Sequence, residues 1–201
     1  MAPISFARGA PSLDIIDVAS LRDAAQRAFA NDPGGMTGYG TAVGYPPLRR
    51  WIAERAGVEE SQVMITNGSM QADAFLFDAL VTAGDAVIVE RPSYDRTLLA
   101  LRQRGAVLSP IPIETDGVDV EALAAALERG LRPTLAHIIP NFHNPAGHTL
   151  SGLKRELLLE LAREHSFTIF EDDPYISLRF RGETLPTMLA LDAGQGSVVY
   201  A

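Results

Sequence analysis

The sequence predicts an α/β fold, with a mainly parallel sheet covered by helices on both faces. Two observations support this prediction. Short apolar runs alternate along the chain with longer segments whose apolar positions recur at helical spacing, an order typical of βαβ crossovers. The composition is that of a globular protein, because 47% of the 201 residues are hydrophobic and 21% are charged.

Residues 1–46 are expected to form an N-terminal arm and an interface loop, ahead of a larger domain over residues 47–201. One helix is predicted in the arm at residues 20–30, with Ser20 as its N-cap. The Gly- and Pro-rich stretch that follows, "NDPGGMTGYGTAVGYPP", is predicted to be a long loop. The next helix, residues 47–57, begins at a proline and ends at a glycine, as helix termini prefer.

The larger domain alternates strictly between predicted strands and predicted helices. The strands are expected at residues 62–66, 86–90, 106–113, 134–139, 167–170 and 197–201, and the helices at 70–84, 94–105, 120–130 and 152–165. Right-handed crossovers between successive strands make such a sheet mainly parallel. Pro110 and Pro112 interrupt the third strand and indicate an edge position, since proline cannot donate to a ladder.

Charge and composition exclude several classes of protein. The formal net charge of −8 argues against a nucleic-acid-binding surface or an anionic membrane surface. The chain has no cysteine, so disulfides, thiolate metal sites and a cysteine nucleophile are absent. No signal peptide or membrane span is recognisable, and a cytoplasmic location is therefore predicted.

Ligands of parallel sheets bind beyond the carboxyl ends of the strands, so the loops there are the candidate sites. "TNGSMQ" leads from a strand into a helix, and its free backbone amides at Ser69 and Met70 offer an anion cup. A plain serine N-cap is the alternative. "ERPSY" places Tyr94 just after a strand, where its ring can stack on a flat ligand or pack on the following helix.

Two further loops carry polar side chains. "PNFHNPAGHTLS" contains Asn144 between His143 and His148; the histidine pair suggests a metal only weakly, because no carboxylate lies in the loop. The stretch "EDDPY" sets Asp172 and Tyr175 three residues apart after an apolar strand. A carboxylate at a dry strand end is costly unless it meets a cation. Glu171 and Asp173 are interpreted as part of a solvated turn.

Together these loops offer a phosphate cup, an aromatic plate, an amide donor and an acid with a phenol. Those groups match pyridoxal 5′-phosphate, which has a phosphate, a flat pyridine ring, a phenolate oxygen and a ring nitrogen that works as an electron sink when protonated. The four loops therefore predict a pyridoxal-phosphate site and no metal.

The sequence resembles the class I/II aminotransferases among the fold-type-I pyridoxal-phosphate enzymes, and is most similar to their aminoadipate and aromatic branch. The stretches that carry the resemblance run in family order: "ISFARGAPS", "GYGTAVGYPPLRRWIA", "VMITNGSMQA", "GDAVIVERPSY", "PNFHNPAGHTLS" and "IFEDDPYISL". The resemblance implies amino transfer from an α-amino acid to a 2-oxo acid.

The resemblance also implies a role for each matching residue. Ser69 and Met70 would contact the phosphate, Tyr94 would stack on the ring, and Asp172 would pair with the ring nitrogen. Asn144 and Tyr175 would bind the phenolate oxygen. The remaining two assignments lie in the arm: Tyr39 would reach the cofactor of the other subunit of a homodimer, and Arg8 is a candidate for substrate contact.

One departure from the family is large. The lysine that binds the cofactor covalently would follow a strand like "SVVYA" by a few residues, but the sequence stops at Ala201. The only lysine is Lys154, which we interpret as a solvated residue of an amphipathic helix. The chain is thus expected to lack the C-terminal small domain and to be inactive by itself.

Three alternatives stay open. The same site serves pyridoxal-phosphate-dependent lyases and decarboxylases. An aminotransferase-like sensor domain of a transcription regulator is a non-enzymatic alternative, although the chain begins directly with the arm and shows no DNA-binding segment before it. A remnant without function is the last.

Overall fold

The computed structural model describes residues 12–201, which form eight α-helices and six strands. The helices are α1 (Val18–Asn31), α2 (Pro33–Thr37), α3 (Pro46–Ala56), α4 (Ser69–Leu80), α5 (Asp95–Gln103), α6 (Val120–Glu128), α7 (Gly152–His165) and α8 (Met188–Asp192). The strands are β1 (Ala86–Arg91), β2 (Val107–Glu114), β3 (Gly117–Val118), β4 (Pro133–Ile138), β5 (Thr168–Glu171) and β6 (Val198–Tyr200). Among these residues, no helix is long and apolar enough to cross a bilayer.

The six strands form one sheet in the order β3-β2-β1-β4-β5-β6. All neighbours are parallel except β2 and β3, which make a short antiparallel hairpin. This confirms the predicted fold class. Strand β2 pairs with β3 only at Ile113 and Glu114, so Pro110 and Pro112 lie on a stretch whose outer side has no strand partner, as their missing N–H groups require.

Apolar side chains on both faces of the sheet explain why helices cover both. Along β1 successive side chains point to opposite faces, so Val87 and Val89 join one cluster and Ile88 joins the other. The first cluster packs against α4 and α5 through Phe77 and Leu101. The second is built with α6, α7 and α8, and includes Leu123, Leu127, Leu158, Leu159 and Met188.

The N-terminal elements differ from the prediction in two respects. Helix α1 is capped by Asp17 and not by Ser20: the Asp17 carboxylate accepts the backbone N–H of Ser20 at 2.9 Å and its hydroxyl at 2.7 Å. Both residue types are good caps, and the helix begins one turn earlier than expected. The predicted loop contains the short helix α2, which starts with a proline after the capping residue Asp32.

The predicted strand at residues 62–66 is wrong. This segment contacts Val43 through the N–H of Ile65, at 2.9 Å, and makes no ladder with the sheet. A groove of about 360 Å³, lined by Met64 on one side and Val198 and Tyr200 of β6 on the other, separates it from the last strand. An extended segment that forms no hydrogen-bonded ladder with a neighbouring strand is not part of the sheet.

Candidate functional site

A cavity of about 180 Å³ lies at the carboxyl ends of the strands, where the sequence places the candidate loops. Its walls come from four separate loops and consist of Ser69, Tyr94, Ile139, Asn144, Asp172, Pro174 and Tyr175. The fold therefore brings together five of the eight predicted site residues. Of the other three, Met70 adjoins the cavity, Tyr39 lies elsewhere, and Arg8 lies outside the described residues.

The N-terminus of α4 forms one end of the cavity. Gly68 has φ +79°, a left-handed conformation that favours glycine, and the helix begins directly after it. Among the described residues, no acceptor receives the N–H groups of Gly68, Ser69 or Met70. These amides lie at the positive end of a 12-residue helix, an arrangement that suits a phosphate.

Two other loops meet over the middle of the cavity. The amide Nδ2 of Asn144 lies 3.4 Å from the hydroxyl oxygen of Tyr175, so two polar groups from different loops face the same space. The Asn144–Pro145 peptide bond is cis. Tyr94, at the N-cap of α5, is half-buried and contributes to the wall of the same cavity.

Asp172 supplies a carboxylate at the end of β5. Its backbone N–H donates to the carbonyl of Ile138 at 2.9 Å, which continues the pairing with β4 past the last strand residue. Its Oδ2 lies 3.2 Å from Nε2 of His137, a fully buried imidazole on β4. The carboxylate is 10% exposed, so it is held between a buried base and the cavity.

Asp73 of α4 lies behind this pair. Its side chain is buried, and burial raises the pKa of its carboxyl group to about 6; the charge of Asp172 adds to the rise, while His137 and Thr97 oppose it. Sequence reasoning missed Asp73 and His137. Both stand at apolar-looking positions of a helix and a strand, and a polar residue inside such a pattern was the available signal.

Glu90 and His143 fix the loop that carries Asn144. Glu90, at the end of β1, accepts the N–H of Ile139 at 2.8 Å, and its Oε2 lies 3.2 Å from Nε2 of His143. That distance fits an ion pair, although the geometry is not that of a directed hydrogen bond. The Nδ1 atom of His143 accepts the N–H of Ala146 at 3.2 Å. His143 therefore holds its loop together from within.

Glu171 and Asp173 contradict the prediction of a solvated turn, because both are buried. Both carboxylate oxygens of Glu171 accept N–H groups from the start of α8, and Oε1 lies 3.8 Å from Arg155. Burial raises the pKa of Glu171 to about 7, against the opposing effect of these donors. Asp173 accepts the amide of Asn141 at 2.8 Å. Both carboxylates can be buried because groups distant in sequence donate hydrogen bonds to them.

Lys154 also differs from the prediction. Its ammonium lies 2.5 Å from Glu114 and 2.6 Å from Asp116, at the β2–β3 hairpin, and its side chain is only 12% exposed. It is therefore a paired structural residue and not a solvated one. It does not line the cavity at the strand ends.

Tyr39 lies in the connection between α2 and α3, with its side chain entirely exposed. Met70 is about half exposed, next to the cavity. Within residues 12–201, no three His, Asp or Glu side chains are grouped so that they could hold a metal ion.

Comparisons with known proteins identify the family of this chain. A family model described as "Aminotransferase class I and II" matches residues 3–198. The chain belongs to the class I and II aminotransferases. Among curated members, an aromatic-amino-acid aminotransferase of Thermococcus litoralis is 33% identical, over 98% of this chain and 49% of that protein. A 2-aminoadipate transaminase of Thermus thermophilus is 34% identical, over 98% and 50%.

A solved aminotransferase has the same fold. The alpha-aminoadipate aminotransferase of Thermus thermophilus, complexed with N-(5′-phosphopyridoxyl)-L-leucine, matches with a TM-score of 0.89 at 32% identity, over 97% of this chain and 50% of that one. The chain thus spans about half the length of these relatives. The cofactor of this aminotransferase family is pyridoxal 5′-phosphate.

The residues of the cavity fit that cofactor. The free amides of α4 and the carboxylate of Asp172 both border the space, so opposite charges are provided for an anionic phosphate and a cationic ring nitrogen. Asn144 and Tyr175 add polar atoms to the same cavity wall. The kinds of group that line the cavity are those that this cofactor needs.

Proposed function

We propose that this chain provides the cofactor-binding half of a pyridoxal-phosphate-dependent aminotransferase, which transfers an amino group from an α-amino acid to a 2-oxo acid. The observation that carries the proposal is the meeting of Ser69, Tyr94, Asn144, Asp172 and Tyr175 in one cavity. The cofactor, when bound, supplies an electron sink for the substrate's Cα proton chemistry.

Ser69 and Met70 bind the phosphate through their backbone amides in this proposal. The support is the helix terminus, where these N–H groups have no acceptor among the described residues. Tyr94 packs its ring against the pyridine and excludes water from one face. The exposed Met70 side chain adds no polar contact, so the backbone carries the recognition at that position.

Asp172 pairs with the ring nitrogen and keeps a proton on it. A buried carboxylate needs a positive partner, and the wall it occupies leaves one side free for such a group. Asn144 and Tyr175 donate to the phenolate oxygen, which orients the ring. Arg8 remains a proposal for substrate contact.

We also propose a homodimer, in which Tyr39 reaches the cofactor phosphate bound by the other subunit. The complete exposure of this side chain supports the proposal. A mixed dimer offers a test. When a Tyr39→Phe chain and an Asp172→Asn chain are combined, a dimer with one chain of each kind should contain one site in which both residues are native. Light scattering that finds only monomers with the cofactor bound would contradict the homodimer.

Lys154 is paired away from the cavity, so we propose that residues 1–201 alone do not catalyse turnover. The purified chain is supplied with pyridoxal phosphate, an α-amino acid and a 2-oxo acid, and the new amino acid is measured. No product is expected from the 201 residues. Turnover by a chain of confirmed mass would contradict this part of the proposal.

The alternatives are distinguished by activity assays on a protein made from a coding sequence that extends beyond codon 201. Transfer that depends on the 2-oxo acid supports an aminotransferase. Release of ammonia or carbon dioxide without it supports a lyase or a decarboxylase. Cofactor binding without any turnover supports a sensor domain or a remnant.

A further inference from the structure

His137 occupies a fixed position behind the cavity. It is fully buried on β4, with Nε2 3.2 Å from Oδ2 of Asp172. Its ring packs edge-on against Phe170 at 5.4 Å between centroids. The imidazole therefore cannot leave Asp172 without moving the core of the sheet.

The other side of the imidazole is unsatisfied. His137 Nδ1 is buried without a hydrogen-bond partner among the described residues, and the same is true of Asp73 Oδ1. His137 and Asp172 both act on the pKa of the Asp73 carboxyl group, so the three groups lie near one another. Buried polar atoms without partners are rare, so these two atoms mark an ionisable part of the interior behind Asp172.

The charge of these three groups can be counted. With Asp172 counted as a carboxylate and His137 as an uncharged imidazole, the three groups carry one negative charge while Asp73 is protonated and two once Asp73 has ionised. A buried net charge needs a cation, and the only side of the group that opens to a ligand, among the residues the structure describes, is the cavity wall at Asp172.

We propose that His137 is a positioning residue that keeps Asp172 ionised and directed at the cofactor's ring nitrogen, and that Asp73, once ionised, adds negative charge behind this pair. This inference rests on the proposed function and deepens it. Asp73 is suited to the task, because burial raises the pKa of its carboxyl group to about 6 and it exchanges its proton near neutral pH. The side chains that act on the pKa of Asp73 are His137, Asp172 and Thr97.

The test compares two probes that differ only at the ring nitrogen. Pyridoxamine 5′-phosphate and its analogue with CH in place of that nitrogen are titrated into the 201-residue chain by calorimetry at about pH 7.5. The wild-type chain is expected to prefer the nitrogen ring by roughly tenfold or more, as for a hydrogen bond to a charged group. His137→Asn is expected to lower this ratio at least about threefold, on the same physical basis.

His165→Asn is the matched control, since His165 lies at the end of α7, outside the cavity wall, and should leave the ratio unchanged. A merely structural role of His137 weakens both probes by the same factor and leaves the ratio intact; that outcome overturns the inference while the proposed function stands. Failure of the wild-type chain to bind pyridoxamine phosphate overturns both.

Asp73→Asn gives an independent result. In the wild type the ratio should rise between about pH 5.5 and 7.5 as Asp73 ionises, and this rise should be smaller in the variant; equal profiles overturn the role of Asp73. If His137→Asn does not fold, the 15N chemical shift of the His137 ring in the wild type is measured with each probe instead. We expect it to shift with pyridoxamine phosphate far more than with the CH analogue, and equal shifts overturn the inference.

Discussion

Asn144 and Tyr175 are 31 positions apart in sequence, yet the amide Nδ2 of one lies 3.4 Å from the phenol oxygen of the other. Each lies in the connection that follows a strand of the parallel pair β4 and β5. Parallel strands bring such loops to one edge of the sheet, and this contact is the point where two of them meet. A ligand oxygen placed between the two groups would receive both hydrogen bonds.

Removal of the Tyr175 hydroxyl tests this point. Tyr175→Phe should weaken binding of pyridoxal phosphate about fivefold to tenfold, the effect of one lost hydrogen bond. The dissociation constant is measured by quenching of Trp51, the single tryptophan, or by calorimetry. Tyr45→Phe is the control, because Tyr45 bonds to Asp32 away from the cavity. Equal affinity of wild type and Tyr175→Phe would exclude the phenol from the site.

Exchange of His143 tests the support of the Asn144 loop. His143→Asn breaks the contact with Glu90 and leaves a buried carboxylate short of a partner, so the free energy of unfolding should fall by about 2 kcal/mol. Urea denaturation measures the change, and cofactor affinity should fall with it. His148→Asn, in the same loop, should change neither, because only the backbone of His148 bonds to His143. Similar losses in both variants would contradict the special role of His143.

Arg155 is expected to be essential for stability. Its guanidinium is fully buried and donates to the carbonyls of Leu150, Pro140 and Pro186 and to the Asn141 side chain. Lysine cannot reproduce this set of bonds, so Arg155→Lys should cost about 3 kcal/mol or more of unfolding free energy.

The matched substitution for Arg155→Lys is Arg163→Lys on the same helix. Arg163 pairs with Asp192 and is one-third exposed, so its loss should cost under about 1 kcal/mol. The two urea midpoints are compared directly. A variant at position 155 that is no less stable than the one at 163 would show that the buried bonds contribute little.

Asp73→Asn should change how stability depends on pH. The pKa of Asp73 rises from its ordinary 3.8 to about 6 in the folded chain, chiefly through burial. Between these values the folded state holds a proton that the unfolded state has lost, so the free energy of unfolding falls as pH rises through this window. The loss is at most about 3 kcal/mol. Denaturation at about pH 4 to 8 should show a shallower fall in the variant, and parallel curves would refute the assignment.

Lys154→Met should leave the cofactor site intact. The ammonium pairs with Glu114 and Asp116, both half exposed, so its removal should cost about 1 kcal/mol of stability or less. The dissociation constant for pyridoxal phosphate should stay within about twofold, which is less than the effect of one hydrogen bond. A variant that loses the cofactor's absorbance band as well as its affinity would identify Lys154 as a cofactor ligand.

Sequence order alone predicted that these loops would meet, because the loops after parallel strands share one edge of the sheet, and five of the predicted residues line one cavity there. What it missed depends on long-range partners. Glu171 and Asp173 look like a solvated turn in the sequence, but in the fold they contact Arg155 of α7 and Asn141 of the loop before it. Residues 62–66 have the composition of a strand, but a strand of the sheet needs a ladder with a neighbouring strand, and here a groove lies between the segment and β6.

Local ambiguity explains the smaller error at α1. Ser20 and Asp17 are both good N-caps one turn apart, and only the carboxylate–amide contact in the folded chain distinguishes them. The roles of His137 and Asp73 depend likewise on contacts between a helix and a strand. A polar residue within an apolar pattern thus indicates from the sequence that a position is special, but only the folded contacts show what the residue does.

The most direct measurement is a crystal structure of the chain with pyridoxamine 5′-phosphate. The account predicts the phosphate at the backbone amides of Ser69 and Met70, the ring against Tyr94, and the ring nitrogen within hydrogen-bond distance of Asp172. Its phenolate oxygen should lie between Asn144 and Tyr175. Density for the ligand outside this cavity, or a ring nitrogen turned away from Asp172, would contradict it.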